Sequence, residues 1–273
     1  MPLYRGSRRI IMTRRAADAP QTTAFLARTS GLSGTETAAY KALINGLVTD
    51  GVFSLLDALY IFATNTTTTA NLNLISTSFG LTQTGSVTFS ADHGYTGDGS
   101  TGYLDTGYTP STAGGHLTLN SVSGGAYILN SRATANNHCA FGTGDNAFID
   151  KLNYQPLNNS NNALAQGNDA SNANFALSIT NAQGMGSVTR NSSSTLDFYK
   201  NAGSTLGPAS ATSQALAVNS ILICAGRETG TPSNFSADQI AAVYFGGGLN
   251  ATQVGQVHSR INAYMTALGI AVY

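Results

Sequence analysis

The sequence predicts a mainly β protein, an antiparallel two-sheet sandwich flanked by helices at its two ends. Three observations carry this. Beyond position 103, for about 140 residues, short β-branched and aromatic runs alternate with Asn-, Ser- and Gly-rich turn signals. Charged residues make up only 10% of the 273, and 42% are apolar, enough for a sizeable core and unlike a disordered chain. The third is the stretch 93–108, with five glycines and three tyrosines in sixteen residues. It reads as a glycine-rich turn, 94–102, feeding a strand, 103–108. Tyr103 and Asp105 share one face of that strand, and Leu104, Thr106 and Tyr108 share the other.

Taken in order, residues 1–30 read as an extended basic arm, because Pro2 and Pro20 oppose helix and no period persists. Ser33 and Glu36 form a capping-box pattern. Ala39, Tyr40, Leu43, Ile44, Leu47 and Val48 then follow a 3.6-residue period, predicting a helix over 33–49. The apolar run 52–62 predicts a second, buried helix running into extended chain. The two make a helical hairpin which, with the polar linker 64–69 and the anchors Leu72, Leu74 and Ile75, fills 31–80. The sandwich occupies 81–249. Strands are predicted at 116–122, 126–131, 139–142, 147–152, 175–180, 186–190, 196–200, 220–226 and 240–245. Asn250 with Gln253 caps a last helix over 250–268, with the stripe Val254, Val257, Ile261, Tyr264, Met265, Leu268 and with Gly269 at its C′ position. Residues 250–273 form a C-terminal packing helix.

The net charge is zero, but it is unevenly placed. Residues 1–28 hold six arginines and one acid, a net +5, and the rest holds seven basic and twelve acidic residues, a net −5. A basic arm on an acidic body predicts docking onto another copy or an acidic neighbour. Leu3, Tyr4, Ile10 and Ile11 supply apolar anchors beside Arg5, Arg8, Arg9, Arg14 and Arg15, which favours a protein partner over nucleic acid. No stretch of 18 apolar residues predicts a membrane span. Ser7-Arg8-Arg9-Ile10-Ile11 resembles a twin-arginine signal, but Thr13-Arg14-Arg15 interrupts where its apolar region belongs, so no signal peptide is expected.

The chemistry is sparse. Cys139 and Cys224 could form one disulfide, and two buried free thiols fit as well. His93, His116, His138 and His258 are scattered at no metal spacing, and His258 reads as a packing residue. There is no Gly-x-Ser-x-Gly elbow, and Gly97-Asp98-Gly99 lacks the Lys-Ser/Thr of a phosphate loop. The clustered aspartates Asp92, Asp98 and Asp105 could pair for glycoside cleavage, but Asp98 reads first as a turn former. Glycan binding would use the rings of Tyr95, Tyr103 and Tyr108 with Asp98 and Asp105 beside them. The competing reading packs these tyrosines into the core. No cofactor is expected.

Two places carry a resemblance. Gly97-Asp98-Gly99-Ser100-Thr101-Gly102-Tyr103-Leu104-Asp105-Thr106-Gly107 resembles an early strand of concanavalin A-like (LamG-type) jelly rolls. Residues 235–245, followed by Gly-Gly-Leu249-Asn250-Ala-Thr-Gln253, resemble that family's last strand and closing helix. With helices ahead of such a domain, residues 30–273 resemble virion proteins of tailed bacteriophages and prophages. The resemblance implies a jelly roll and a non-enzymatic structural component of the virion, at head or tail. Its basic arm would bind other virion proteins and copies of itself. It implies, as the alternative, a module for host surface glycans. Such jelly rolls often bind calcium, for which Asp145, Asn146 and Asp150 are candidates, although Asn and Asp in turns ordinarily only form the turn. The Glu-x-Asp-x-x-Glu strand of the family's glucan-cleaving enzymes is missing. The chain has only Glu36 and Glu228.

Overall fold

The computed structural model describes residues 17–130, 137–145, 151–160, 162–169, 173–175, 181–201, 204–205, 207–227 and 229–273. Its helices are α1 (Pro20–Leu26), α2 (Gly34–Thr49), the single turn α3 (Thr67–Ala70) and α4 (Ala251–Ala267). Its strands are β1 (Leu56–Ile61), β2 (Thr82–Thr84), β3 (Val87–Ser90), β4 (Gly94–Gly97), β5 (Tyr103–Asp105), β6 (Val122–Ile128), β7 (Phe141–Thr143), β8 (Lys151–Gln155) and β9 (Ala163–Asp169). They continue as β10 (Ala173–Phe175), β11 (Gly184–Arg190), β12 (Thr195–Lys200), β13 (Ser204–Thr205), β14 (Ala209–Ser210), β15 (Leu222–Ile223), β16 (Gly226–Arg227), β17 (Pro232–Ser233) and β18 (Gln239–Gly246).

Two antiparallel sheets face each other, as the strand pattern predicts. The first runs β13-β12-β11-β6-β18-β4-β3, with β1 also on β18 and β14 on β12. The second runs β10-β9-β8-β7-β15-β5-β2, and β16 and β17 form a separate two-stranded ribbon. One apolar core lies between the sheets. A second lies between the first sheet and the helices, so the molecule has three layers.

The helical hairpin expected over 33–62 is not formed. Residues 33–49 are helical, but the second half is a short 3-10 turn (Phe53–Leu55) and then β1. The reason is burial on both faces. Ala58, Tyr60 and Phe62 point into the inter-sheet core, and Leu59, Ile61 and Ala63 point at the helices. A strand covered on both sides shows no polar alternation, so its apolar run reads like a buried helix. β18, its partner, shares this property and lies between β1 and β4 on one edge and β6 on the other.

The expectation of extended chain through residue 30 also fails. Pro20 starts α1 rather than preventing it, since the first helical position has no intrahelical N–H bond to lose. Asn45 of α2 anchors this turn, accepting from Ala19 N at 2.8 Å and Thr22 Oγ1 at 2.7 Å. Arg28 folds back, donating to Ser76 O and Asn73 O at 2.8 Å each.

The helix caps form as the sequence indicates. Ser33 and Glu36 exchange both capping bonds, and the second Glu36 oxygen accepts from Asn65 N at 2.8 Å, tying α2 to the chain after β1. Asn250 and Gln253 cap α4 in the same way, and Gly269 takes the left-handed conformation (φ 75°) that ends it. α4 packs on α2 and on the outer face of the first sheet, where Val254, Val257, Ile261, Tyr264 and Met265 are buried. Arg260 of α4 holds Asp50 at the end of α2, with contacts of 2.8 and 3.0 Å.

The predicted strand boundaries move in several places. Residues 116–121 form a turn closed by a Thr118–Ser121 bridge, and the strand begins at Val122. The predicted strand 147–152 is β8, displaced toward the C-terminus to end at Gln155, with 146–150 outside the described residues. The predicted strand 175–180 meets the description only at its first residue, the end of β10, and 176–180 lie outside it. β9 was not predicted, because Ala163-Leu164-Ala165-Gln166-Gly167 carries no β-branched or aromatic residue.

Candidate functional site

The glycine-rich stretch is split between the two sheets. β4 joins the first sheet beside β18, and β5 joins the second between β15 and β2. Asp98 makes the turn between them, as its turn-former reading has it. Its carboxylate accepts from the N–H groups of Ser100, Thr101 and Gly102 and from Thr101 Oγ1, all within 2.9 Å. These four donors, led by the Thr101 hydroxyl, hold the exposed carboxyl well below the usual carboxylate range. Asp98 is committed to the loop.

Tyr95 and Tyr108 are core residues, which corrects their candidacy as glycan contacts. Both are fully buried between the sheets. Tyr95 donates to Asn71 Oδ1 at 2.7 Å and packs against Phe62 and Phe89, and burial pushes its phenol up to about 12. Tyr108 donates to Asp57 Oδ2 at 2.8 Å and packs against Phe79 and Phe245. An expected strand 103–108 puts Tyr108 on the face of Leu104, and that face is the inner one.

Tyr103 and Asp105 point the other way, onto the outer face of the second sheet, where both are half-buried. The fold brings two residues to them that the sequence reading did not single out. Phe235 places its ring 6.4 Å from that of Tyr103. Arg227, on the β16–β17 ribbon, sets Nη2 3.5 Å from Asp105 Oδ2. Other bonds hold the guanidinium in place: Nη1 donates to Gly230 O at 2.7 Å and Nε to Ser220 O at 3.3 Å. Asp105 also accepts from Gly107 N at 2.9 Å. Its side chain keeps 31% exposure and that of Arg227 keeps 14%, so this ion pair is open to a ligand. The arrangement offers ring faces, one acceptor group and one donor group on a fixed strand and ribbon. Nothing local marks Arg227 or Phe235 in sequence, since they lie more than a hundred residues beyond Tyr103.

Across the ribbon, the same outer face carries a row of amides. β8 alternates inner Leu152 and Tyr154 with outer Asn153 and Gln155, and Gln166 of β9 sits opposite Asn153. Asn153 Nδ2 donates to Gln166 Oε1 at 2.6 Å. Asn153 Oδ1, Gln155 Oε1, Gln166 Nε2 and, on the ribbon, Ser233 Oγ are enclosed without a hydrogen-bond partner. Each such enclosed group costs about 1–3 kcal/mol, so four on one face call for a reason. The alternation Lys151-Leu-Asn-Tyr-Gln155 is the sequence signal that could have found this row.

The remaining candidates fall elsewhere. Leu3, Tyr4, Arg5, Arg8, Arg9, Ile10, Ile11, Arg14 and Arg15 lie outside the described residues, as do Asn146 and Asp150. Among the described residues, no group of three His, Cys, Asp or Glu side chains is placed to hold a metal ion. His258 is buried, with Nε2 2.7 Å from Ser187 Oγ, and burial holds its imidazole down at about 3. This is a packing contact without solvent access. Cys139 and Cys224 are buried and form no disulfide. Cys224 belongs to the inter-sheet core, whereas Cys139 lies against Gly226 on the outer side. No described helix is long and apolar enough to cross a membrane.

No protein-family model and no curated protein matches this sequence. Solved structures do match in fold. Domain 4 of AbnA, an extracellular GH43 arabinanase from Geobacillus stearothermophilus, determined in complex with arabinotriose, is 12% identical with a TM-score of 0.50, covering 74% of this chain and 98% of that one. A structure from work on ganglioside-dependent cell entry of botulinum neurotoxin type C is 13% identical with a TM-score of 0.50 over 75% of this chain. This chain spans 51% of that one, about half its length. At these identities the likeness concerns the fold alone: a mainly β jelly roll of two antiparallel sheets with a C-terminal helix.

Proposed function

We propose that this chain is a carbohydrate-binding protein, and that its saccharide site is the patch formed by Tyr103, Asp105, Arg227 and Phe235. The observation that carries this reading is the meeting of Tyr103 and Asp105 with a ribbon arginine on an accessible sheet face. Sugar rings present C–H faces that pack on aromatic rings and hydroxyl edges that donate and accept hydrogen bonds. Tyr103 and Phe235 serve the first need, and Asp105 and Arg227 the second. The AbnA domain with its arabinotriose supports the reading by analogy of fold, and that ligand is its own.

The patch binds rather than cleaves. Glycoside hydrolysis uses two carboxyl groups flanking the bond. Asp105 instead faces the Arg227 guanidinium, from which it accepts at 3.5 Å. A glycan array carrying neutral and sialylated oligosaccharides tests the proposal. Wild type is expected to bind a defined subset, and Tyr103→Ala to lose at least about tenfold in affinity for it, worth about 1.4 kcal/mol. Equal binding by the two proteins would remove the patch from the account.

A second reading concerns attachment. The net +5 of residues 1–28 against −5 elsewhere favours a docking arm, and the resemblance to phage virion proteins favours a particle as its target. In that reading the arm fixes the chain to a shell and the jelly roll is displayed toward host glycans, with avidity from many copies. Truncation of residues 1–15 is expected to leave a folded, sugar-binding domain that no longer assembles. Normal assembly by the truncated chain would end this second reading and leave the first intact.

A further inference from the structure

Building on the saccharide reading of the Tyr103 patch, we propose that the patch takes neutral sugars and turns away acidic ones, with Asp105 as the discriminating group, and that the edge strand β2 completes it through Thr82 and Thr84. β2 pairs with β5 in a register that sets Thr84 opposite Tyr103 and Thr82 opposite Asp105. Directly opposed residues of an antiparallel pair share a face, so both threonines stand on the outer face with Tyr103 and Asp105. β2 is the last strand of its sheet and is exposed along its length. The four side chains make a block about 7 Å along the strands and about 5 Å across them, which one sugar ring with its hydroxyls covers. Each threonine hydroxyl both donates and accepts, as a sugar hydroxyl does. The amide row of β8 and β9 is enclosed and takes no part.

The charges select the ligand. Asp105 Oδ1 accepts from Gly107 N at 2.9 Å, whereas Oδ2 meets Arg227 Nη2 at 3.5 Å, long for a charge-assisted bond. Arg227 Nη2 reaches its other partner, Ser220 Oγ, at 3.4 Å. A hydroxyl between them can donate to Oδ2 and accept from Nη2, shortening both contacts and leaving no charge unbalanced. A ligand carboxylate can use only the guanidinium, and it must then lie beside Asp105. Asp98, exposed and bonded to Gly102 N one residue before Tyr103, adds a second negative charge at this end of the patch. Like charges about 5 Å apart at a protein surface repel enough to weaken binding about tenfold.

The test uses the full chain and isothermal titration calorimetry. The probes are neutral oligosaccharides of galactose, glucose and mannose, each paired with its uronic-acid counterpart, and lactose paired with sialyllactose. Wild type is expected to bind at least one neutral probe, and its acidic counterpart at least about tenfold more weakly. Asp105→Asn keeps an oxygen for Gly107 N but removes the charge, and is expected to shrink the neutral-to-acidic ratio at least about fivefold. The double variant Thr82→Val, Thr84→Val is expected to keep its Tm and to bind the neutral probe about tenfold more weakly. Acidic probes bound as well as neutral ones, an unchanged ratio in Asp105→Asn, or wild-type affinity in the threonine variant each overturns the proposal. If Tyr103→Ala still abolishes binding in those cases, the patch stands and only its selectivity falls. No binding of any probe, or binding that Tyr103→Ala leaves intact, overturns the patch and this proposal with it.

Discussion

Asp57 holds together two parts of the chain that the sequence leaves unconnected. It sits in β1, and its carboxylate accepts from Tyr108 hydroxyl at 2.8 Å, Leu117 N at 2.8 Å, His116 N at 2.7 Å and His116 Nδ1 at 2.9 Å. Replacing it by Ala removes the acceptor for all four. The His116 ring is half-exposed and regains water, so its share is small. The Tyr108 hydroxyl and the Leu117 N–H are enclosed, and each is left unpaired at about 1–3 kcal/mol. The expected loss is therefore about 4 kcal/mol. At about 2–4 °C per kcal/mol for a chain of this size, Tm falls on the order of 10 °C. Urea denaturation of wild type, Asp57→Ala, Tyr108→Phe and the double variant checks the origin of the loss. Tyr108→Phe removes one donor, so the double variant is expected to lie closer to wild type than the sum of the two single losses. Full additivity, or a fall in Tm below about 2 °C for Asp57→Ala, would refute the reasoning.

Three further outcomes follow from the packing. His258 titrates at about 3 in the fold against 6.5 when free, so the unfolded chain takes up the proton first. The stability its neutral ring contributes is complete above about pH 6.5 and is lost as pH falls toward 3, by up to about 5 kcal/mol, and His258→Gln should flatten that slope in denaturant titrations from pH 7 to 4. Gly94 has φ 108°, and a side chain there would run into Ile240 O of β18, so Gly94→Ala should lower stability by several kcal/mol, on the order of 3, in the same assay. The Cys224 thiol is pushed up to about 12 by burial, and both cysteines are buried and in no disulfide. A thiol reagent should therefore label neither in the native protein and both in denaturant, and reductant should leave Tm unchanged.

The ends of the fold were the most legible parts. The Ser33–Glu36 and Asn250–Gln253 pairs announce helix starts through a local bond, and local bonds are what a sequence displays. β1 was misread because its two faces are buried by different layers, and only the three-dimensional stack distinguishes Tyr60 from Ile61. The candidate site was half legible. Period-two alternation correctly separated Tyr103 and Asp105 from Tyr108, but it could not say which face met the core. Tyr95 stood as a candidate sugar contact beside its core reading because the break at 98–102, where the chain passes from one sheet to the other, leaves no trace beyond its glycines. Arg227 and Phe235 come to the patch by pairing and ribbon geometry across more than a hundred residues, which no local pattern records.

The account rests on saccharide binding at the outer face of the second sheet. Hydrogen exchange measured with and without the oligosaccharide that wild type binds best tests this most directly. Binding is predicted to slow exchange at 103–107 and 226–235, leaving α2 and α4 unchanged. Protection confined to the helical layer, or no protection with any oligosaccharide, would contradict it.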